Sequence, residues 1–409
     1  MKGGNRLRPT LPKERQTAQN QWRSVKEIFL VAAKLGLTAF GGPVAHLGYF
    51  QDEYVRRRKW LDDRVYADLV ALCQFLPGPA SSQVGIGIGV LRGGIWGGVA
   101  AWLGFTLPSV LFLSLFAAFL GATTALDAGW IHGLKLVAVA VVAQAVLSMG
   151  QKLAPDRIRA TIAVISMALC LVWPTAASQV LVILLAGTLG FSMWKSSDPS
   201  PESELRVPIS RTVGLVCLTL FFALLVFMPI LGRIDGLSWI SLFDHFYRAG
   251  SLVFGGGHVV LPLLDGELVR AGYLSKEQFL AGYGAAQAVP GPLFTFAAYL
   301  GTIIGGWTGA IGATVAIFLP AFLLVIGTLP FWHTLRNNPR VQGALRAINA
   351  AVVGILIAAL YHPIWTSSIL SPADFALAGI LFCLLVFWKT PPWIVVIAGA
   401  MGGWMLALP

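Results

Sequence analysis

The stretch Gln74–Gln83 reads QFLPGPASSQ, and Gln287–Thr295 repeats it as QAVPGPLFT. Each lies near the middle of an apolar run of about 27 residues, 65–91 and 278–304. Proline inside a helix removes a donor and clashes with the preceding turn, at about 3 kcal/mol. Two helices interrupted at their centres are therefore expected. Such breaks bring helix ends and free backbone groups to mid-membrane depth, where irregular backbone survives only if it is buried in protein or lines a cavity.

The surrounding composition sets the solvent. Of 409 residues, 56% are hydrophobic and 11% charged, against about 25% charged in an ordinary soluble domain. Apolar runs long enough to cross a bilayer recur, among them Ile95–Leu120, Leu134–Met149, Val213–Leu231 and Trp307–Leu329. The chain reads as an all-α, polytopic membrane protein whose chief partner is the lipid bilayer. The net charge of +11 does not point to nucleic acid, because the excess sits near the start of the chain and in short connectors around Lys152, Arg157, Arg159, Arg336 and Arg340. That is the distribution of cytoplasmic anchors. Cys73, Cys170, Cys217 and Cys383 fall in apolar runs without metal or disulfide spacing. No cofactor is expected.

The chain also matches itself. Phe40-Gly41-Gly42 corresponds to Phe254-Gly255-Gly256, and Glu53 and Arg56 to Glu267 and Arg270, at one offset of 214. The Pro-Gly-Pro elements follow at 213, then Gly93-Gly94 with Gly305-Gly306 and Pro108 with Pro320 at 212. The expected organisation is a basic cytoplasmic tail at 1–27, a first repeat at 28–194 and a polar linker at 195–211. A connecting helix at 212–231 and a second repeat at 232–409 complete it. About 12–13 spans follow, and an odd number between matching elements inverts the second half, a common transporter architecture. Simple alternation sets Arg56–Lys59 outside, against the positive-inside tendency; a re-entrant hairpin over 27–48 is the alternative there.

The candidate site lies at the breaks. Pro77 and Pro290 open them, and Pro79 and Pro292 suit the first position of the next helix, where a missing donor does no harm. Around Gly78 and Gly291, the residues Ser81, Ser82, Gln83 and Thr295 would offer hydroxyls, an amide and first-turn N–H groups to a small anion, with Gln74 and Gln287 three residues before each break. Gly41, Gly42, Gly255 and Gly256 permit close backbone approach. His46 and His258 are candidate donors or proton carriers, although they align only with a two-residue shift. Glu53 with Arg56 and Glu267 with Arg270 read as surface pairs or as gates, and Lys34, within an apolar run, as an attractor of anions.

These residues resemble a known family. GGPVAH, VRRRKWL, ALCQFLPGP, FGGGHVVLP and QAVPGP are similar to motifs of the chromate ion transporters, over about 40–115 and 251–324, in the long form with two related halves. The resemblance implies export of chromate across a bacterial inner membrane, with resistance as the outcome and sulfate as the chemically similar competitor. An oxyanion permease and an anion channel are the alternatives. A membrane enzyme finds no support, since GxSxG and HExxH are missing, as is the Walker A pattern that ATP drive would need. The oligomeric state stays open, a homodimer included.

Overall fold

A computed structural model describes residues 13–122, 129–194, 207–234, 238–254, 256–336 and 338–407. Gly255, the first part of the basic tail and linker residues 195–206 lie outside them. Among the described residues there are helices and no strands.

The first half opens with α1 (Lys13–Thr38) and α2 (Gly42–Phe50), the latter running on as a π-helical turn over Gln51–Arg57. The chain reverses between α1 and α2 at Phe40-Gly41, where Gly41 takes φ +99°. Glu27 then meets Arg58 at 3.1 Å and Lys34 meets Glu53 at 3.6 Å, so the second limb runs back alongside the first. This is a helical hairpin with both ends on one side. The reversal falls inside the proposed segment 27–48, and the returning limb extends to Arg57.

A second hairpin follows. α3 (Asp63–Phe75) has 13 residues, about 20 Å of helix, which is too short for a hydrocarbon core of about 30 Å. After Pro77-Gly78-Pro79 the helix α4 (Ala80–Ala122) begins. A Cβ on Gly87 would stand 2.6 Å from a Leu69 methyl, although Gly87 and Leu69 lie equally far along the chain from Gly78. A merely kinked helix would hold those residues about 27 Å apart. The helix breaks at Pro-Gly-Pro as expected, and it does so as the tip of a hairpin: the chain returns to the side it came from. It turns again at Gly93 (φ −134°, ψ 18°) and Gly94 (φ 64°, ψ −160°). There Gly89 and Gly97 pack backbone on backbone, a Cβ on either falling 2.2 Å from the other's carbonyl oxygen. Only the second limb of α4, after Gly94, can cross the bilayer.

The second half repeats each move. α9 (Ser238–Leu252) is followed by a 3₁₀ turn (Gly257–Val259), α10 (Val260–Leu264) and a π-helical turn (Asp265–Val269). α11 (Lys276–Ala286) then leads to the second Pro-Gly-Pro, after which α12 (Phe296–Thr328) turns at Gly305 (φ −146°, ψ 25°) and Gly306 (φ 62°, ψ −150°). Tyr299 covers Gly282 as Leu69 covers Gly87.

Outside these hairpins stand α5 (Gly129–Leu153), α6 (Arg157–Val172), α7 (Ala176–Met193) and the connecting α8 (Arg211–Ile234). Past the short α13 (Trp332–Arg336), α14 (Pro339–Ala359), α15 (Thr366–Ser368), α16 (Pro372–Val386) and α17 (Pro392–Leu406) complete the chain. α5 packs against α16 and α17 of the other half, and α14 packs reciprocally against α6 and α7. Among the described residues five helical stretches are long and apolar enough to cross a membrane, and three shorter apolar helices accompany them.

The second limbs of α4 and α12 run antiparallel. Trp102, early in its limb, packs on Phe318 and Phe322, late in theirs, with ring centroids 5.8 and 5.5 Å away. Phe116, late in the α4 limb, stacks 5.9 Å from Tyr299, near the mouth of the second half's hairpins. The two mouths consequently face opposite ways.

Candidate functional site

Each hairpin tip is docked into the opposite half. The Gly78 amide donates to the Val253 carbonyl at 2.7 Å, and the Gly291 amide donates to the Ala39 carbonyl at 3.0 Å. Val253 and Ala39 immediately precede the two Phe-Gly-Gly motifs, whose turns leave helix-end carbonyls free to accept. At the first tip the Pro77 carbonyl accepts from Gln83 Nε2 at 2.7 Å. At the second, the equivalent Pro290 carbonyl accepts from the Ser109 hydroxyl of the other half. The Gly78 and Gly291 amides are thus taken up in docking the tips.

A cavity of about 80 Å³ lies beside the second tip, lined by Gly41, Gly42, His258, Gln144, Gln287 and Gly291 among others. That is several times the 10–15 Å³, roughly, that a single water requires. Both halves contribute, and none of the lining side chains carries a permanent charge. The helix N-terminus at this cavity belongs to α2, whose Gly41 cap has no side-chain acceptor on the first-turn amides. Its partial positive charge favours an anion. Two Pro-Gly-Pro helix ends converging on one ligand were expected; instead one such tip meets a Phe-Gly-Gly turn.

The histidines separate clearly. His258 Nδ1 lies 2.7 Å from the Tyr283 hydroxyl, which leaves Nε2 as the other ring position for a donor at the cavity. His46 is buried, with Nδ1 3.3 Å from Ser81 Oγ and Nε2 3.2 Å from the Ala39 carbonyl. It ties the first hairpin to α4. Gln287 lines the cavity, whereas Gln74 is exposed elsewhere. Ser81, Ser82, Gln83 and Thr295 are buried in packing, and the Thr295 hydroxyl turns back to the Pro292 carbonyl at 2.7 Å.

The expected Glu–Arg pairs do not form. Arg56 pairs with Asp52 at 2.8 Å, while Glu53 takes Arg58 at 2.8 Å, Arg57 at 3.3 Å and Lys34 at 3.6 Å. Glu267 takes His245 at 2.6 Å and Arg248 at 3.1 Å rather than Arg270. Lys34 is thus an ion-pair partner, and Arg248 is its counterpart at the same offset of 214. That shared offset is the signal by which the true pairs were findable. Gln144 was also missed; an amide in the middle of apolar α5 is its only trace.

The chromate transporter family model matches residues 26–191 and 240–404, one stretch in each half. A chromate transport protein of Pseudomonas aeruginosa is 29% identical over 94% of this chain and 92% of its own length. One of Cupriavidus metallidurans is 26% identical over 94% of each chain, and a probable chromate transport protein of Synechococcus elongatus is 28% identical over 82% of this chain and 84% of its own. No solved structure matches the chain.

Proposed function

This chain belongs to the chromate transporter family, and from that premise we propose that it is a secondary transporter moving chromate out of the cell across a bacterial plasma membrane. The observation that carries this reading is the neutral cavity built by both halves at a docked hairpin tip. Chromate is a tetrahedral dianion, satisfied by several N–H and O–H donors arranged around it. The α2 amides, His258, Gln144 and Gln287 supply such donors without a fixed cation, so release stays feasible. Export of two negative charges gains about 4.6 kcal/mol per 100 mV of interior-negative potential. A proton gradient is the second available drive.

Purified protein in liposomes, given chromate and an imposed voltage or pH gradient, tests the proposal. Uphill chromate movement supports it; no flux under either gradient ends it. Sulfate belongs in the same assay, because an uncharged donor set does not separate two dianions of one shape. Within the cavity, Gln287→Leu and Gln144→Leu should each weaken apparent chromate affinity by about tenfold, the worth of one lost hydrogen bond to a charged group. Gln74→Leu should do less. Equal effects at Gln74 and Gln287 would count against this cavity as the binding site.

A further inference from the structure

The second half holds a partly buried charge cluster that the anion cavity does not use. On α9, the Arg248 guanidinium reaches Asp244 at 2.7 Å and, across the hairpin, Glu267 at 3.1 Å. His245 Nδ1 also reaches Glu267, at 2.6 Å. Tyr273 closes the site edge-on, its ring 5.6 Å from the imidazole. Asp244 is 3% exposed, and its Oδ1 is buried with no hydrogen-bond partner.

Charge counting exposes the imbalance. Two carboxylates and one guanidinium leave a net −1 when the imidazole is neutral and zero when it carries a proton. An uncompensated charge is costly where Asp244 is buried, and the partly exposed imidazole beside it gives the cluster a route for taking up a balancing proton. The first half differs at the matching positions: Lys34 and Glu53 occupy the places of Arg248 and Glu267, and the added cations are Arg57 and Arg58, with no imidazole. Duplication has left the first hairpin with three cations around its glutamate and the second with one guanidinium and an imidazole.

We propose that His245, Asp244, Arg248 and Glu267 form the proton-binding site that couples proton movement to anion transport. The cluster clasps the two limbs of the hairpin whose turn supplies the Val253 carbonyl to the first Pro-Gly-Pro tip and places His258 at the cavity. Loading and unloading one proton changes how firmly those limbs are held, and with them the wall of the anion cavity. None of the four residues lines that cavity.

This inference rests on the transport reading above, and the experiment separates the two. Full-length protein in liposomes is assayed for chromate–chromate exchange without a gradient, for chromate accumulation driven by pH, and for proton flux evoked by chromate. His245→Gln is expected to keep exchange within about threefold of wild type, while pH-driven accumulation and proton flux fall by about tenfold or more. His245→Arg, with a permanent charge, should show the same loss and covers the case in which the glutamine variant folds poorly. Wild-type proton coupling in either folded variant overturns the proposal. So does a wild-type protein that exchanges chromate yet moves no protons. Absence of all chromate flux in the wild type instead removes the transport reading, and the coupling site falls with it.

Discussion

Gly291 holds φ +97°, and a Cβ there would lie 2.3 Å from Ser109 Oγ and 3.2 Å from the Phe105 carbonyl oxygen. Gly42 holds φ +78°, yet a Cβ there meets nothing within 4 Å. Both line the same cavity, so alanine at each tests two different demands. Gly291→Ala combines an unfavourable backbone conformation with a collision against the other half, and should cost about 2–4 kcal/mol and detach the tip. Gly42→Ala carries the backbone strain alone, about 1–2 kcal/mol, and should yield folded protein with weakened anion binding. Thermal unfolding in detergent beside chromate flux distinguishes them; equal destabilisation by the two would refute the packed-tip description.

Among the elements, the hairpin tips matter most, and they were only half legible. The two Pro-Gly-Pro motifs and their shared neighbours revealed the duplication, because proline and glycine leave marks that survive divergence of the residues between. Reversal at those motifs was not legible, since an interrupted span and a hairpin share one apolar pattern. What distinguishes them is lateral: Gly87 faces Leu69 and Gly282 faces Tyr299, small residues placed where a returning limb must pass. The site was obscured likewise, because Ala39, Ser109 and Gln144 acquire meaning only once the other half is packed against them. The tips differ in attachment. The second is tied across by both the Gly291 amide and the Ser109 hydroxyl, whereas the first relies across the halves on the Gly78 amide, its Pro77 carbonyl being capped from within by Gln83. Ser109→Ala should therefore destabilise the protein by about 1 kcal/mol through the orphaned Pro290 carbonyl, and slow transport more than it lowers abundance. Unchanged turnover at normal abundance would show that this tie does not control the tip.

Across the whole molecule, the hairpins resolve a conflict in the charge distribution. Because the first hairpin returns, Arg56–Lys59 emerge beside the N-terminal limb, as the contact between Glu27 and Arg58 requires. α5 begins toward the second half's mouth, where Lys135 lies within electrostatic reach of Glu277, and passes Gly284 to reach the cavity at Val141 and Gln144. Lys152 and Arg157, at and just beyond its far end, thus come out at the first half's mouth. These basic groups gather on one side, and the positive-inside tendency predicts that this side is cytoplasmic. The second mouth then opens outward, and exchange of roles between two opposed halves becomes a direct route to alternating access. Cysteines introduced into a cysteine-free background test this arrangement. Arg56→Cys and Arg157→Cys occupy exposed positions at the first mouth, and Ala271→Cys is exposed at the second. An impermeant thiol reagent added outside intact cells should label Ala271→Cys alone, while everted vesicles should expose the other two. Labelling of Arg56→Cys and Arg157→Cys from opposite sides would mean that the first hairpin crosses the bilayer, and the inverted pairing of the halves would have to be abandoned.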